Sequence, residues 1–493
     1  MRRPCALIAC WAAGCVVAGA IVLSGAAQPP QAAARRHAAD RPAIRVREPG
    51  SLQATLDAAA PGTVVRLPAG TTYEGPVVIR RPVTLTTDGE ALGDRRVDPE
   101  DRAALASIVA RGNEPAIEIA PGASDVTIAR LHVYGASNDL VTCGRGDSTQ
   151  VTRDRQPRGV VLDQLLVEGD PVRGAKRGVT LNCADAKLTR STIRSIFRPG
   201  QDAAAVAGWN GEGPFVIDDN FLEAASEVIL FGGTDPDIPG LVPTGIDITG
   251  NVLTKDLAWR GKPYNVKNLL ELKVGRRVTI RGNVMEHNWV HAQTGWAIVL
   301  TPSQYGRNPD AVIEDVLIED NVIRHTSSGI NLLGYSQHQR ERPTQPTRRV
   351  TVRNNWFQLD RERWGGQGWF LQMGRSPREI VIERNTIEQN GSQFITATGE
   401  PSPGFRFVGN LVKSAGRYGI FTAGGDGRNH AHGARWREYF PGGVIEDNAI
   451  VGFARPANLP GNLHVSPSEA ETAEGVGAGA VKGYGRGWSR GSP

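Results

Sequence analysis

The chain has 493 residues and a formal charge of +5. Setting aside Arg2 and Arg3 in the leader leaves about +3, too small a bias to argue for nucleic acid. After the first 27 residues no segment is apolar enough to span a bilayer.

Arg2 and Arg3 precede an apolar stretch from Cys5 to Ala27 that ends in Ser24, Gly25, Ala26 and Ala27. This is the pattern of a signal peptide, so residues 1–27 are expected to direct the chain to the periplasm or outside the cell. Residues 28–43 are rich in Pro and Ala and read as a linker. Three of the five cysteines lie in the leader, which leaves Cys143 and Cys183 as the pair available for a disulfide in an oxidising compartment.

Leu52 to Ala60 (LQATLDAAA) has the spacing of a short amphipathic helix with Ser51 as its N-cap. Beyond it, over 400 residues show little helical patterning. A repeated unit takes over instead, with an apolar residue three before an asparagine and another two after it. It reads VTIRGNVM at Val278 to Met285, VLIEDNVI at Val316 to Ile323, VTVRNNWF at Val350 to Phe357 and IVIERNTI at Ile380 to Ile387. The asparagines are Asn220, Asn251, Asn283, Asn321, Asn355, Asn385, Asn410 and Asn448, separated by 25 to 38 residues. Upstream the unit recurs without asparagine around Leu131, Leu165 and Ser191.

One such unit cannot bury its own apolar face, but stacked units share a continuous core. Short alternating strands without room for crossover helices predict an all-β fold, a parallel β-solenoid of about eleven or more coils and roughly 50 Å long. The helix would cap its open end. Stacked asparagines would satisfy buried backbone groups, which makes them structural. The same stacking would bring Cys143 and Cys183, at matching places in adjacent coils, within disulfide range. The solenoid is expected over 44–460, followed by a Gly- and Ser-rich tail over 461–493.

On these motifs, and on the segment GTVVRLPAGTTYEGPVVI, the chain resembles the right-handed parallel β-helix superfamily that includes the pectate lyases. The stretch VKNLLELK, with VTIRGNVMEHNW and QTGWAIVLT, is similar to secreted bacterial β-helix proteins. The resemblance implies three strands per coil, with one sheet facing substrate. Its strands would be RGVTLN, EVILFG, KNLLELK, GWAIVLT, SGINLLG, GWFLQMG, SQFITATG and YGIFTAGG.

In KNLLELK, alternation sends Leu270 and Leu272 inward and Lys267, Glu271 and Lys273 outward. Neighbouring strands offer Thr180, Thr301, Asn331 and Gln372 on that face, none charged. The next loop, MEHNWVHAQTGW, brings Glu286, His287, Trp289, His291 and Trp296 nearby. A row of outward charges is commonly only a solvated face. Set against neutral neighbours, this row also fits β-elimination from a uronic acid. Lys273 would be the base, its pKa lowered by a neighbouring ammonium, Lys267 the substrate clamp and His291 the acid. Glu271 would orient Lys273 or hold calcium that neutralises the substrate. Trp289, Asn331 and Gln372 would contact the glycan, and Tyr305, Tyr335, Trp364 and Trp436 fall in loops that could border the groove.

Lysine-based alginate lyases of this fold place a lysine much as Lys273 is placed here, but the Arg-His-Gly of their following coil is replaced by AIVLTPS. The Asp trio and Arg-Ile-Lys of polygalacturonase-type hydrolases are missing. His430 and His432, with Asp426, could be metal ligands, and the basic loop Gln337 to Arg349 could hold an anionic chain. The leading expectation is a monomeric, secreted or periplasmic polysaccharide lyase. The alternatives are a glycoside hydrolase using carboxylates such as Glu271 and Glu286, and a non-catalytic carbohydrate-binding solenoid.

Overall fold

The computed structural model describes residues 42–90, 92–136, 138–303, 308–335, 345–413, 420–423, 436–451 and 461–471. The leader, most of the 28–43 linker, Tyr305, residues 337–344 of the basic loop, Asp426, His430, His432 and the end of the tail lie outside the described residues. Among those described, three parallel sheets hold 14, 14 and 12 strands. The chain visits them in turn, so that Gly275–Arg281 in the first sheet leads to Val284–Asn288 in the second and Trp296–Leu300 in the third. The fold is a right-handed parallel β-helix.

Its core is a set of aliphatic stacks. Ile248, Ile280, Ile318, Val352 and Ile382 lie in register on successive coils of the first sheet, and all are buried. Each such side chain contributes about 1.5–3 kcal/mol by leaving water. Between the first two sheets runs the asparagine ladder. Asn321 Oδ1 accepts from the backbone N and Nδ2 of Asn283, both at 2.9 Å, while Asn321 Nδ2 donates to Asn355 Oδ1 at 2.9 Å and Ile280 O at 2.9 Å. The pattern runs from Asn220 to Asn448. It continues to Asn462 and is closed upstream by Ser191, whose backbone N donates to Asn220 Oδ1.

The residue before each ladder asparagine has a left-handed backbone, from Asp219 (φ 51°) through Gly282 (φ 64°) and Asp320 (φ 58°) to Asp447 (φ 57°). Gly, Asp and Asn adopt that conformation most readily, which accounts for the recurring Gly-Asn, Asp-Asn and Asn-Asn pairs.

The helix forms at Leu52–Ala58 and buries Leu56 and Leu52. Ser51 stands at its N-cap position but makes no side-chain capping hydrogen bond. It belongs to the turn Pro49–Ser51, and its hydroxyl donates to Glu48 O instead. The capping is done by Gln53, whose amide donates to Val78 O at 3.0 Å and accepts from Val78 N at 2.8 Å. It stands in for a neighbouring strand at the open edge of Val77–Ile79. At the other end, Leu463–His464 pairs with the strand Ala449–Val451, so the solenoid runs past the boundary expected at Pro460. Cys143 and Cys183 form a disulfide with Cα atoms 5.8 Å apart.

Candidate active site

All eight strands expected on one face lie in the third sheet. There, Glu271 stands in register between Leu230 and Val299, then Asn331 and Gln372 follow on successive coils. Leu270 and Leu272 fill the core, so the Glu271 side chain points away from it. That side chain does not reach an open groove, because Glu271 is only 1% exposed. Lys273 Nζ lies 2.5 Å from its Oε1, and Asn268 Nδ2 donates to its Oε2 at 2.7 Å.

Lys267 serves other carboxylates. Its Nζ pairs with Glu227 Oε1 at 3.2 Å and with Asp202. Glu227 opens the preceding strand of the sheet, Glu227–Phe231, and Asp202 sits just before the strand ahead of that, Ala204–Gly208. Asn265 Nδ2 holds the other oxygen of Asp202 at 3.1 Å. The cluster therefore draws on three successive coils. Its outer layer is Asp202, Lys267 and Lys273, with side chains 49%, 18% and 24% exposed, over the buried Glu227 and Glu271.

Burial, and then the Glu271 charge, push the Glu227 carboxyl up to about 7. Its Oε2 is buried without a hydrogen-bond partner. Burial works against the Lys267 ammonium, but Glu227 and Asp202 outweigh it and raise its pKa. Beneath the cluster, Lys255 is wholly buried, its Nζ surrounded by the carbonyls of Ser226, Ala225, Asn268 and Ala224 at 2.5, 3.0, 3.0 and 3.2 Å. Burial lowers its pKa to about 7, while four carbonyl acceptors and the nearby Glu227 favour the ammonium form. Lys255 ties Ala224, Ala225 and Ser226, just ahead of Glu227, to Asn268, the residue that holds Glu271.

Other expected residues fall elsewhere. His291 is exposed in the loop between Val284–Asn288 and Trp296–Leu300, and no hydrogen bond or ion pair joins its ring to Glu271, Lys267 or Lys273. Trp289 offers no open platform, since it is 5% exposed and packed with Phe197, Trp259, Val266 and Trp364. Trp364 and Trp436 are buried as well. Tyr335 donates to Glu400 Oε1 at 2.6 Å. Gln372 Nε2 donates to Asn331 Oδ1 at 3.3 Å, and the pair is partly exposed. Asn331 lies two strands from Glu271, about 10 Å away at the spacing of a sheet. Glu286 and His287 are not loop residues but belong to the strand Val284–Asn288 of the second sheet.

Calcium needs six to eight oxygens in a shared cage. Lys267 is already paired with Glu227 and Asp202, and Lys273 with Glu271, so these carboxylates form no shared oxygen cage and do not fit that ion. No local pattern in the sequence marks Glu227, Asp202 and Lys255 as neighbours. The glutamate of EVILFG was in view, but its partner lies 40 residues downstream and meets it only through the register of the coils.

No family model and no curated protein matches the chain. Among solved structures it is similar to the tailspike protein of E. coli bacteriophage HK620 in complex with a pentasaccharide. Identity is 10%, TM-score 0.45, with 89% of this chain and 80% of that one covered. It is also similar to a mannuronic acid specific polysaccharide family 6 lyase from human gut microbiota (12%, TM-score 0.42, 86% and 90%). An alginate lyase from Paenibacillus sp. str. FPU-7 gives 13%, TM-score 0.30, 78% and 98%. At these identities the likeness is one of fold.

Proposed function

We propose that the protein is an exported polysaccharide lyase that cleaves a uronate-containing glycan by β-elimination on the third sheet, as a monomer. The reading rests on one observation, the Glu227 carboxyl set 3.2 Å from the partly exposed Lys267 ammonium on the third sheet. Lys267 and Lys273, the partly exposed cations, would hold the substrate carboxylate and stabilise the enediolate that forms when the adjacent proton leaves. Glu227 replaces Lys273 and His291 as the proton-exchanging group, reached by substrate once Lys267 swings from it onto the substrate carboxylate. In its ionised form it takes the proton α to the substrate carboxylate. As the C–O bond breaks, the same carboxyl returns that proton to the leaving oxygen, so the step balances without a second acid.

The test is incubation of the purified chain with a panel of uronate polymers while following the absorbance of unsaturated products. Product from the parent chain and none from Glu227→Gln is the expected result. Reducing ends without that absorbance would indicate hydrolysis instead, and neither signal would leave a binding solenoid.

A further inference from the structure

We propose that Glu286, His287 and His325, on the second sheet, form a binding site for one divalent first-row transition ion of the zinc type. The three side chains come from the neighbouring strands Val284–Asn288 and Val322–Thr326. One ligating atom from each lies within 4.8 Å of the others. His287 Nδ1 is 3.9 Å from one Glu286 oxygen and His325 Nδ1 is 3.8 Å from the other. Zinc bonds of about 2.0–2.1 Å place tetrahedral ligands roughly 3.4 Å apart, so small side-chain rotations close the set.

The arrangement is built rather than incidental. Both histidines have left-handed backbones, with φ of 63° and 52°, one residue before the register pair Asn288 and Thr326. The same left-handed turn occurs at Ser195 (φ 56°) on an earlier coil of this sheet, so it belongs to the fold, and here it sets two imidazoles at matching positions. The imidazoles stack at 5.4 Å with 10° between their planes, and Trp364 backs both. Arg324 Nε donates to Glu286 Oε2 at 2.8 Å, fixing the carboxylate with Oε1 left for a ligand bond. His325 Nδ1 is buried without a hydrogen-bond partner, an orphan that a metal bond would satisfy. Thr254 Oγ1, 3.1 Å from His287 Nδ1, competes for that lone pair.

The donor set selects the ion. With Arg324 already offsetting the one carboxylate, little net charge remains to attract calcium or magnesium. Two imidazole nitrogens favour zinc, cobalt or nickel, and a three-ligand set keeps a position open for water.

The experiment uses the full chain carrying His430→Ala and His432→Ala, which removes the other closely spaced histidines. Metal-depleted protein is titrated with Zn2+ by calorimetry in millimolar Ca2+, and separately with Co2+ by visible absorption. Expected are one equivalent of Zn2+, d–d bands from Co2+ in a nitrogen and oxygen site of low coordination number, and at least about tenfold weaker binding in His325→Ala. The absence of stoichiometric uptake and of Co2+ bands would overturn the assignment without recourse to any further variant. So would unchanged affinity in both His325→Ala and His287→Ala.

Discussion

Lys267 Nζ stands 3.2 Å from Glu227 Oε1, a carboxyl almost wholly excluded from water. A rise from 4.5 to about 7 in Glu227 means that, between those pH values, the folded chain holds a proton that the unfolded chain has released. Stability from this group is therefore present below pH 4.5 and lost as pH climbs to 7. The full shift, with the opposing Lys267 charge already included, corresponds to at most roughly 3 kcal/mol. Urea unfolding at pH 5 and pH 8 should show the parent losing about 1–3 kcal/mol more than Glu227→Gln. An equal loss in the two proteins would assign the titration to another group.

The asparagine ladder predicts a gradient of sensitivity along the solenoid. Asn321→Leu strands the Asn283 backbone N and Ile280 O, each previously bonded at 2.9 Å and buried. Unsatisfied buried groups cost about 1–3 kcal/mol each, so denaturant unfolding should register a loss of roughly 3–5 kcal/mol. Asn462→Ala, at the more exposed end of the ladder, should cost markedly less because water can replace its bonds. Equal costs at the two positions would defeat the view that the interior asparagines carry buried backbone groups.

The same ladder marks what could be read from the sequence. Its spacing marked the turn between the first two sheets, and the family resemblance grouped eight strands that do share the third sheet. The strand Ala204–Gly208 escaped because AAVAG has no alternation, all five residues being buried. The burial of Glu271 escaped for a different reason. Alternation decides which way a side chain leaves the sheet, but Asn268 and Lys273 cover it through local turns that no period encodes. Trp289 likewise depends on Trp259 and Trp364, which sit on short helices of other coils, to become core. Asp202, Glu227 and Lys267 meet only because loop lengths set their register, and that information is spread over 65 residues.

Gln53 supplies a test of the end cap. Gln53→Ala removes both bonds to Val78 and uncovers the edge of Val77–Ile79. The expected loss is about 1–2 kcal/mol, with faster amide exchange at Val78 and increased self-association through the freed edge. Unchanged exchange at Val78 would mean that packing of Leu52 and Leu56 alone closes the solenoid.

Glu168 and His132 predict behaviour in acid. Glu168 Oε2 lies 3.0 Å from His132 Nε2 and 2.6 Å from an Arg102 nitrogen. With the His132 Nε2 proton directed at the carboxylate, Nδ1 accepts from the Ser107 hydroxyl at 3.0 Å, so three coils of the second sheet share one hydrogen-bonded chain. Burial raises the Glu168 pKa, but His132 and Arg102 prevail and hold it at about 2. The folded value is depressed, so the stability it supplies is present above pH 4.5 and lost as pH falls towards 2. Between pH 5 and pH 3 the parent should lose about 2 kcal/mol more than Glu168→Gln. The side chain is mostly shielded from solvent, at 15% exposure, so added salt should change that difference little. A difference that vanishes in 0.5 M salt would mark the pair as a screened surface contact, and the chain through Ser107 would then have no part in holding these coils together.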